Sequence, residues 1–153
     1  MGKAAPAPAA NRPRITRGDL DCNLGLRLRR AHGAVQRHFL DHFADLGLTQ
    51  KQVSVLWLTG DHPDLAQTDL AAALDMDRAT TMALVHGLEK RGLVVRSPSA
   101  TDRRRIAFRL TDAGVALLDR AKAAIVEHEA WLKNRYSQGE LKTLEELLAR
   151  IYR

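Results

Sequence analysis

Residues 68–110 read TDLAAALDMDRATTMALVHGLEKRGLVVRSPSATDRRRIAFRL, and the order of parts in that stretch decides the fold. Thr68 is a capping residue for a short helix that carries Leu70, Ala71 and Leu74. "DMD" at 75–77 is a tight connection whose last residue, Asp77, is a good N-cap. The helix it opens runs from Arg78 to about Arg91, closed by Gly92, with Thr81, Leu84, Val85 and Leu88 on one face at helical spacing. "LVVRS" and "RIAFRL" then read as two short strands separated by the polar "PSATDRR", an antiparallel hairpin.

Working outward from that stretch, both flanks are helical. Leu20, Leu24, Leu28, Ala31, Val35, Phe39 and Phe43 recur in steps of three and four, which predicts one long helix ending near Leu46-Gly47. Thr49 and Gln52 form a capping box for a helix from about Gln50 to Leu58, stopped by Gly60 and Pro63. Thr111 caps a helix through Tyr136 with Val115, Leu118, Ile125 and Leu132 among its apolar positions. Ser137 and Glu140 open a last helix whose face is Leu141, Leu144, Leu148 and Ile151. Residues 1–18 are rich in Ala and Pro, carry Lys3, Arg12, Arg14 and Arg17, and predict a flexible basic arm.

Composition bounds the partners. A chain of 153 residues with 45% apolar and 27% charged residues is ordinary globular material for one domain. Its net charge of +6 biases the partner toward polyanions, nucleic acid or an anionic surface. The single cysteine, Cys22, forms neither an intramolecular disulfide nor a cysteine metal cage, which makes a cytoplasmic setting the expectation. The N-terminus lacks a secretory apolar core, no run reaches the length of a membrane span, and Pro6 breaks the myristoylation pattern. There is no Gly-rich phosphate loop, nucleophile elbow or distinctive carboxylate pair, so neither an enzyme nor a cofactor is expected.

A short helix joined by a tight turn to a second one is the helix-turn-helix layout, whose second helix fits the DNA major groove. A hairpin directly after it places an arginine-bearing tip beside the narrower minor groove, where the negative potential is strongest. Arg78 and Thr80, at the start of the second helix, are candidates for phosphate or base-edge contacts, with a merely solvated helix start as the alternative. Met82, Ala83 and His86 lie off the buried face and can meet bases, apolar groups favouring thymine methyls. Thr68 joins this DNA-binding set, as do Arg96 and Arg105 on the hairpin. For Arg96, Arg105 and Arg109 a salt-bridged or solvated strand face is the competing reading. His38 and His42 sit four apart on one helix and could share a metal with Asp41, Asp45 or His128, but no Cys or Glu cluster completes a tetrahedral set, so no metal is expected.

The motifs "LAAALDMDRATT" (70–81), "LEKRGLVVR" (88–96), "DRR" (102–104) and "LTDAG" (110–114) together resemble the winged helix-turn-helix region of the MarR family of bacterial transcription regulators. The similarity covers residues 48–114, and the flanking helices agree in length and position. The fold it implies is mainly α with a small β-hairpin wing: a DNA-binding domain over 48–111, and a helical dimerisation region from 19–47 and 112–153. The resemblance further implies a homodimeric, ligand-responsive repressor on a pseudo-palindromic operator in double-stranded DNA, with Arg103 or Arg104 entering the minor groove while Asp102 orients the loop. Positions that look basic in many members are Ala83 and Gly87 here, so more of the affinity falls to the hairpin.

Members of the family commonly bind a small-molecule effector, often an aromatic acid or an aromatic acyl-CoA thioester, between the dimer helices and the winged domain. The corresponding candidates are His32, Gln36, Phe39 and Trp57, for which core or interface packing is the plainer role. Some relatives sense peroxide through a cysteine near the start of the first helix. Aligning "CNLGLRLRR" puts Gly25, not Cys22, at that position, with Arg29 and Phe39 in place of the orienting tyrosines. A redox- or metal-responsive regulator of the same fold and an effector-free architectural DNA-binding protein are the alternatives.

Overall fold

The computed structural model describes residues 16–100 and 104–152, so most of the expected basic arm lies outside the described residues. The chain divides into two units after Ala34. In the first, a 3-10 turn at Gly18–Cys22 precedes α1 (Leu24–His42). The helix begins later than the apolar stripe predicts because the Asn23 side chain accepts a hydrogen bond from the Leu26 amide at 2.9 Å, an N-cap that the stripe overlooks. Arg17 and Arg30 each lie 3.5 Å from the Asp21 carboxylate. Leu20 and Leu24 are largely exposed.

In the second unit α1 ends at His42 rather than at Gly47, since a 3-10 turn, Ala44–Leu46, and Gly47 at φ +58° redirect the chain. Phe39 and Phe43, stacked with centroids 3.9 Å apart, are both buried. The capping box predicted at Thr49 forms in both directions and opens α2 (Gln50–Asp61). This helix runs a turn past its predicted end: Gly60 stays helical, and a Cβ there would come within 2.7 Å of Leu118. α3 (Gln67–Ala73) and α4 (Arg78–Lys90) follow, joined through Asp75, whose φ of +48° an Asp tolerates better than most residues. Thr81, Val85 and Leu88 are buried as the spacing predicts, and Leu84 is half-buried.

β1 (Val94–Pro98) and β2 (Ile106–Leu110) pair antiparallel, Val94 opposite Leu110 and Pro98 opposite Ile106. Ala66 bridges to Ala107, and the Phe108 amide donates to the Leu65 carbonyl at 3.1 Å, so the residues just before α3 form a third edge of the hairpin. This pairing corrects the reading of Thr68. The N-cap of α3 is Ala66, held extended by β2, and Thr68 lies inside the helix.

α5 (Asp112–Lys133) begins at Thr111, whose hydroxyl accepts from the Gly114 amide at 3.0 Å and donates to the Gly92 carbonyl at 2.6 Å. It stops at Lys133, short of the predicted Tyr136, and Val115 is exposed while Leu118 is buried. Gly114 is a close approach, since a Cβ there would stand 2.0 Å from the Leu93 carbonyl oxygen. α6 (Gln138–Tyr152) opens with the predicted Ser137–Glu140 box, and hydrogen bonds from Ser137 hold the Glu140 carboxyl below its ordinary range. Its Leu148 and Ile151 are exposed. The core gathers Phe39, Phe43, Val55, Leu56, Leu70, Val85, Leu88, Val94, Phe108, Leu118 and Ala121. No helix among the described residues is long and apolar enough to cross a membrane.

Candidate nucleic-acid interface and cavity

The start of α4 is fixed by Asp77. Its carboxylate accepts from the Thr80 amide at 2.8 Å and from the Thr80 hydroxyl at 2.6 Å, and these bonds hold its pKa below the ordinary aspartate value. The Thr80 hydroxyl proton is therefore committed to the cap, and what Thr80 offers an outside partner is an acceptor. Arg78, Ala83 and His86 are exposed; Met82 is half-buried and packs against the core. His86 lies 3.9 Å from Glu89.

The hairpin is tied to the elements before it by charge. Arg96 forms a bidentate pair with Glu89 of α4 at 2.7 and 2.8 Å, which raises the arginine pKa further. Arg105 lies 2.7 Å from Asp69 of α3 and donates a longer bond to Thr68 at 3.4 Å. Asp64, in the loop after α2, accepts from the Ser99 hydroxyl at 2.6 Å and the Ala100 amide at 2.9 Å, with Arg109 at 3.9 Å. Of the two readings for Arg96, Arg105 and Arg109, the intrachain ion pair is present for each. Arg104 is exposed; Asp102 and Arg103 lie outside the described residues. Asp64 was not singled out from sequence. An acid after the proline of "GDHPD" looks like turn chemistry, and its partners stand 35 and 36 positions away.

A cavity of about 600 Å³ opens in the second unit, lined by Val35, Phe39, Val53, Trp57, Leu58 and Ile125 on its apolar side and by Gln50, Ser54, His128 and Glu129 on its polar side. Phe39 and Trp57 are thus among its lining residues. Gln36 is exposed on α1 and does not line it, and His32, in the first unit, is exposed. The outward turn of Gln36 follows from the helix, which sends Val35 and Phe39, four apart, to the same side.

His128 is 4% exposed, and its Nδ1 stands 2.8 Å from the Nδ1 of His38. Burial first, and the neighbouring His38 second, push its pKa below the ordinary histidine value. His38 is stacked on Trp131 at 3.8 Å, and His42 lies 3.2 Å from Glu127. The two α1 histidines stack on each other 5.5 Å apart instead of converging on one point, and among the described residues no three His, Cys, Asp or Glu side chains gather as a metal would require. Cys22 is exposed in the first unit.

Pairing between the segment before α3 and β2 separates a wing from a loop that merely follows two helices: the hairpin is part of the domain's sheet. The class so defined is the winged helix-turn-helix DNA-binding domain. A family model described as the MarR family matches residues 46–105. A candidate transcriptional regulatory protein for the hcr operon of Thauera aromatica is 35% identical over 153 residues, spanning 99% of this chain and 90% of the relative. The repressor CouR, solved on a 23-mer DNA duplex, is 38% identical with a TM-score of 0.82, covering 92% of this chain and 99% of CouR. CouR solved with p-coumaroyl-CoA is 36% identical with a TM-score of 0.81, covering 92% and 99%.

The chain belongs to the MarR family. It is a DNA-binding transcriptional repressor of the MarR type, and its relatives are regulators rather than enzymes.

Proposed function

We propose that the protein is a homodimeric repressor released from a pseudo-palindromic operator by a small aromatic effector, an aromatic acid or its acyl-CoA thioester. The observation that carries this reading is the cavity. Its volume of about 600 Å³ lies within the range of small-molecule sites, and it is mainly apolar with a few polar groups. CouR, similar over almost the whole chain, has been solved with p-coumaroyl-CoA and, separately, with DNA.

In this reading α4 lies in the major groove, with Arg78 near the phosphates and Thr80, Met82, Ala83 and His86 toward the bases, Thr80 as an acceptor. Arg103 and Arg104 reach the minor groove, oriented by Asp102, and Thr68, Arg96 and Arg105 border the backbone. Residues 48–111 form the reading head, and 19–47 with 112–153 form the dimer region. Exposed Leu20, Leu24 and Leu28 in one unit, and Leu147, Ile151 and Tyr152 in the other, are apolar positions that a second copy would cover. A two-fold dimer sets its reading helices about 34 Å apart, one turn of DNA.

The effector must bind the DNA-free arrangement more tightly, or it shifts nothing. Gel-shift titration of the promoter fragment upstream of its own gene, under excess random DNA, tests the reading. One retained site, released by an aromatic thioester or acid, supports it; binding without sequence preference would instead mark an architectural protein.

A further inference from the structure

Resting on the effector reading above, we infer that the cavity selects an uncharged aromatic group over an aromatic carboxylate, with His128 as the residue that reads a ring hydroxyl. Among the described residues that line it there is no lysine or arginine. Lys122 lies over the Trp57 ring at 4.8 Å but is paired with Asp61 at 3.4 Å and is not part of the lining. Lys133 pairs with Glu129 at 3.0 Å and likewise stands outside it. The one acid among those lining residues, Glu129, is already paired with Lys133, and that pair leaves no cation over for a ligand carboxylate. A carboxylate buried against such a wall loses its hydration and gains no counter-charge.

The polar atoms that remain suit a neutral hydrogen-bonding group. Ser54 already donates its hydroxyl proton to the Gln50 carbonyl at 3.1 Å, which leaves it an acceptor. His128 spends Nδ1 on His38, at 2.8 Å. Whichever of the two rings donates across that gap, the other accepts, so the pair shares one proton between the Nδ1 atoms. That bond fixes the His128 tautomer and leaves Nε2 to a ligand, as acceptor or donor according to which ring gives the proton. A phenolic hydroxyl serves either case, because it both donates and accepts. Burial disfavours the charged imidazole, so the group supplies direction more than charge.

The test uses the full-length dimer and calorimetric titration at about pH 7, where a benzoic- or cinnamic-type acid is fully ionised. The probes are p-coumarate, its methyl ester, and methyl cinnamate, which lacks the ring hydroxyl. The ester is expected to bind at least about tenfold more tightly than the free acid, the desolvation cost of the carboxylate being the difference. Methyl p-coumarate should also outbind methyl cinnamate, and His128→Leu should remove that second preference while His128→Gln keeps part of it. Free acid binding as tightly as ester overturns the charge selection, and the Leu variant retaining the full hydroxyl preference overturns the role of His128. Binding of none of the probes, with p-coumaroyl-CoA also failing to release operator, overturns the effector reading itself.

Discussion

α4 and the hairpin are built on different physics. α4 is set in place by burial of Thr81, Val85 and Leu88 and by a carboxylate cap at Asp77, and its flanking cations are Arg78 at the start and Lys90 at the end. The hairpin has its inner residues Ala107 and Phe108 buried, but its outer cations reach back to Glu89, Asp69 and Asp64. On the proposed reading, Arg78, Ala83 and His86 would meet DNA without holding α4 in place, while Thr80 and Met82 would do both. In the hairpin the proposed DNA contacts would share the same arginines, so phosphate would compete with a carboxylate for Arg96 and Arg105. Exposed pairs of this kind each hold little and are screened by salt. The helix should be indifferent to ionic strength as a structure, whereas the hairpin's grip on both the body and the duplex should weaken together.

The largest effect expected tests the part the two regions have in common. Phe108→Ala removes a ring 2% exposed that packs in the core under β2. A loss of about 3–5 kcal/mol in urea unfolding is expected. If the loss is instead below about 1 kcal/mol, the hairpin is not built into the core and the charged contacts alone hold it. Next comes Arg104→Ala, which leaves the fold intact by circular dichroism and weakens operator binding by about 1–3 kcal/mol. An unchanged operator affinity would remove the hairpin from the DNA interface and return the affinity to α4.

The order helix, turn, helix, hairpin was legible because each part carries its own local chemistry. The capping boxes at Thr49 and Ser137, the cap at Asp77 and the stop at Gly92 all depend on residues within four positions, and all are present. What failed at Thr68 was set by pairing across the chain. Thr68 has the right side chain for a cap, but the backbone before it is taken by β2, and the helix starts two residues early. The apolar stripe from Leu20 to Phe43 runs through a 3-10 turn at each end, since periodicity does not register an Asn23 cap or a left-handed Gly47. In the cavity, Phe39 and Trp57 announced themselves as aromatics at helical spacing. His128 stood out only as a remote metal ligand, because its partnership with His38 spans 90 positions.

A smaller effect sharpens the contrast by moving charge onto the helix. Ala83 is exposed on α4, and Ala83→Lys places a cation on that face. If α4 faces the duplex, the slope of log affinity against log salt should steepen by about one phosphate contact. A slope unaltered by Ala83→Lys puts that face of α4 away from the backbone.

The smallest expected change is the most pointed, because its two readouts have opposite signs. The Arg105–Asp69 pair is 45% and 49% exposed at its side chains, so Asp69→Asn should cost only about 0.2–1 kcal/mol of stability. The same substitution releases Arg105 from its carboxylate, and binding to DNA of any sequence should tighten modestly at low salt. A double-mutant cycle with Arg105→Ala isolates the pair, since the gain must vanish when the arginine is absent. If Asp69→Asn weakens DNA binding instead, the pair serves chiefly to aim the wing, and its positioning role outweighs the competition with phosphate. The hairpin would then resemble α4 after all, with its Asp69 contact acting as scaffold and the duplex left to Arg104 and the tip.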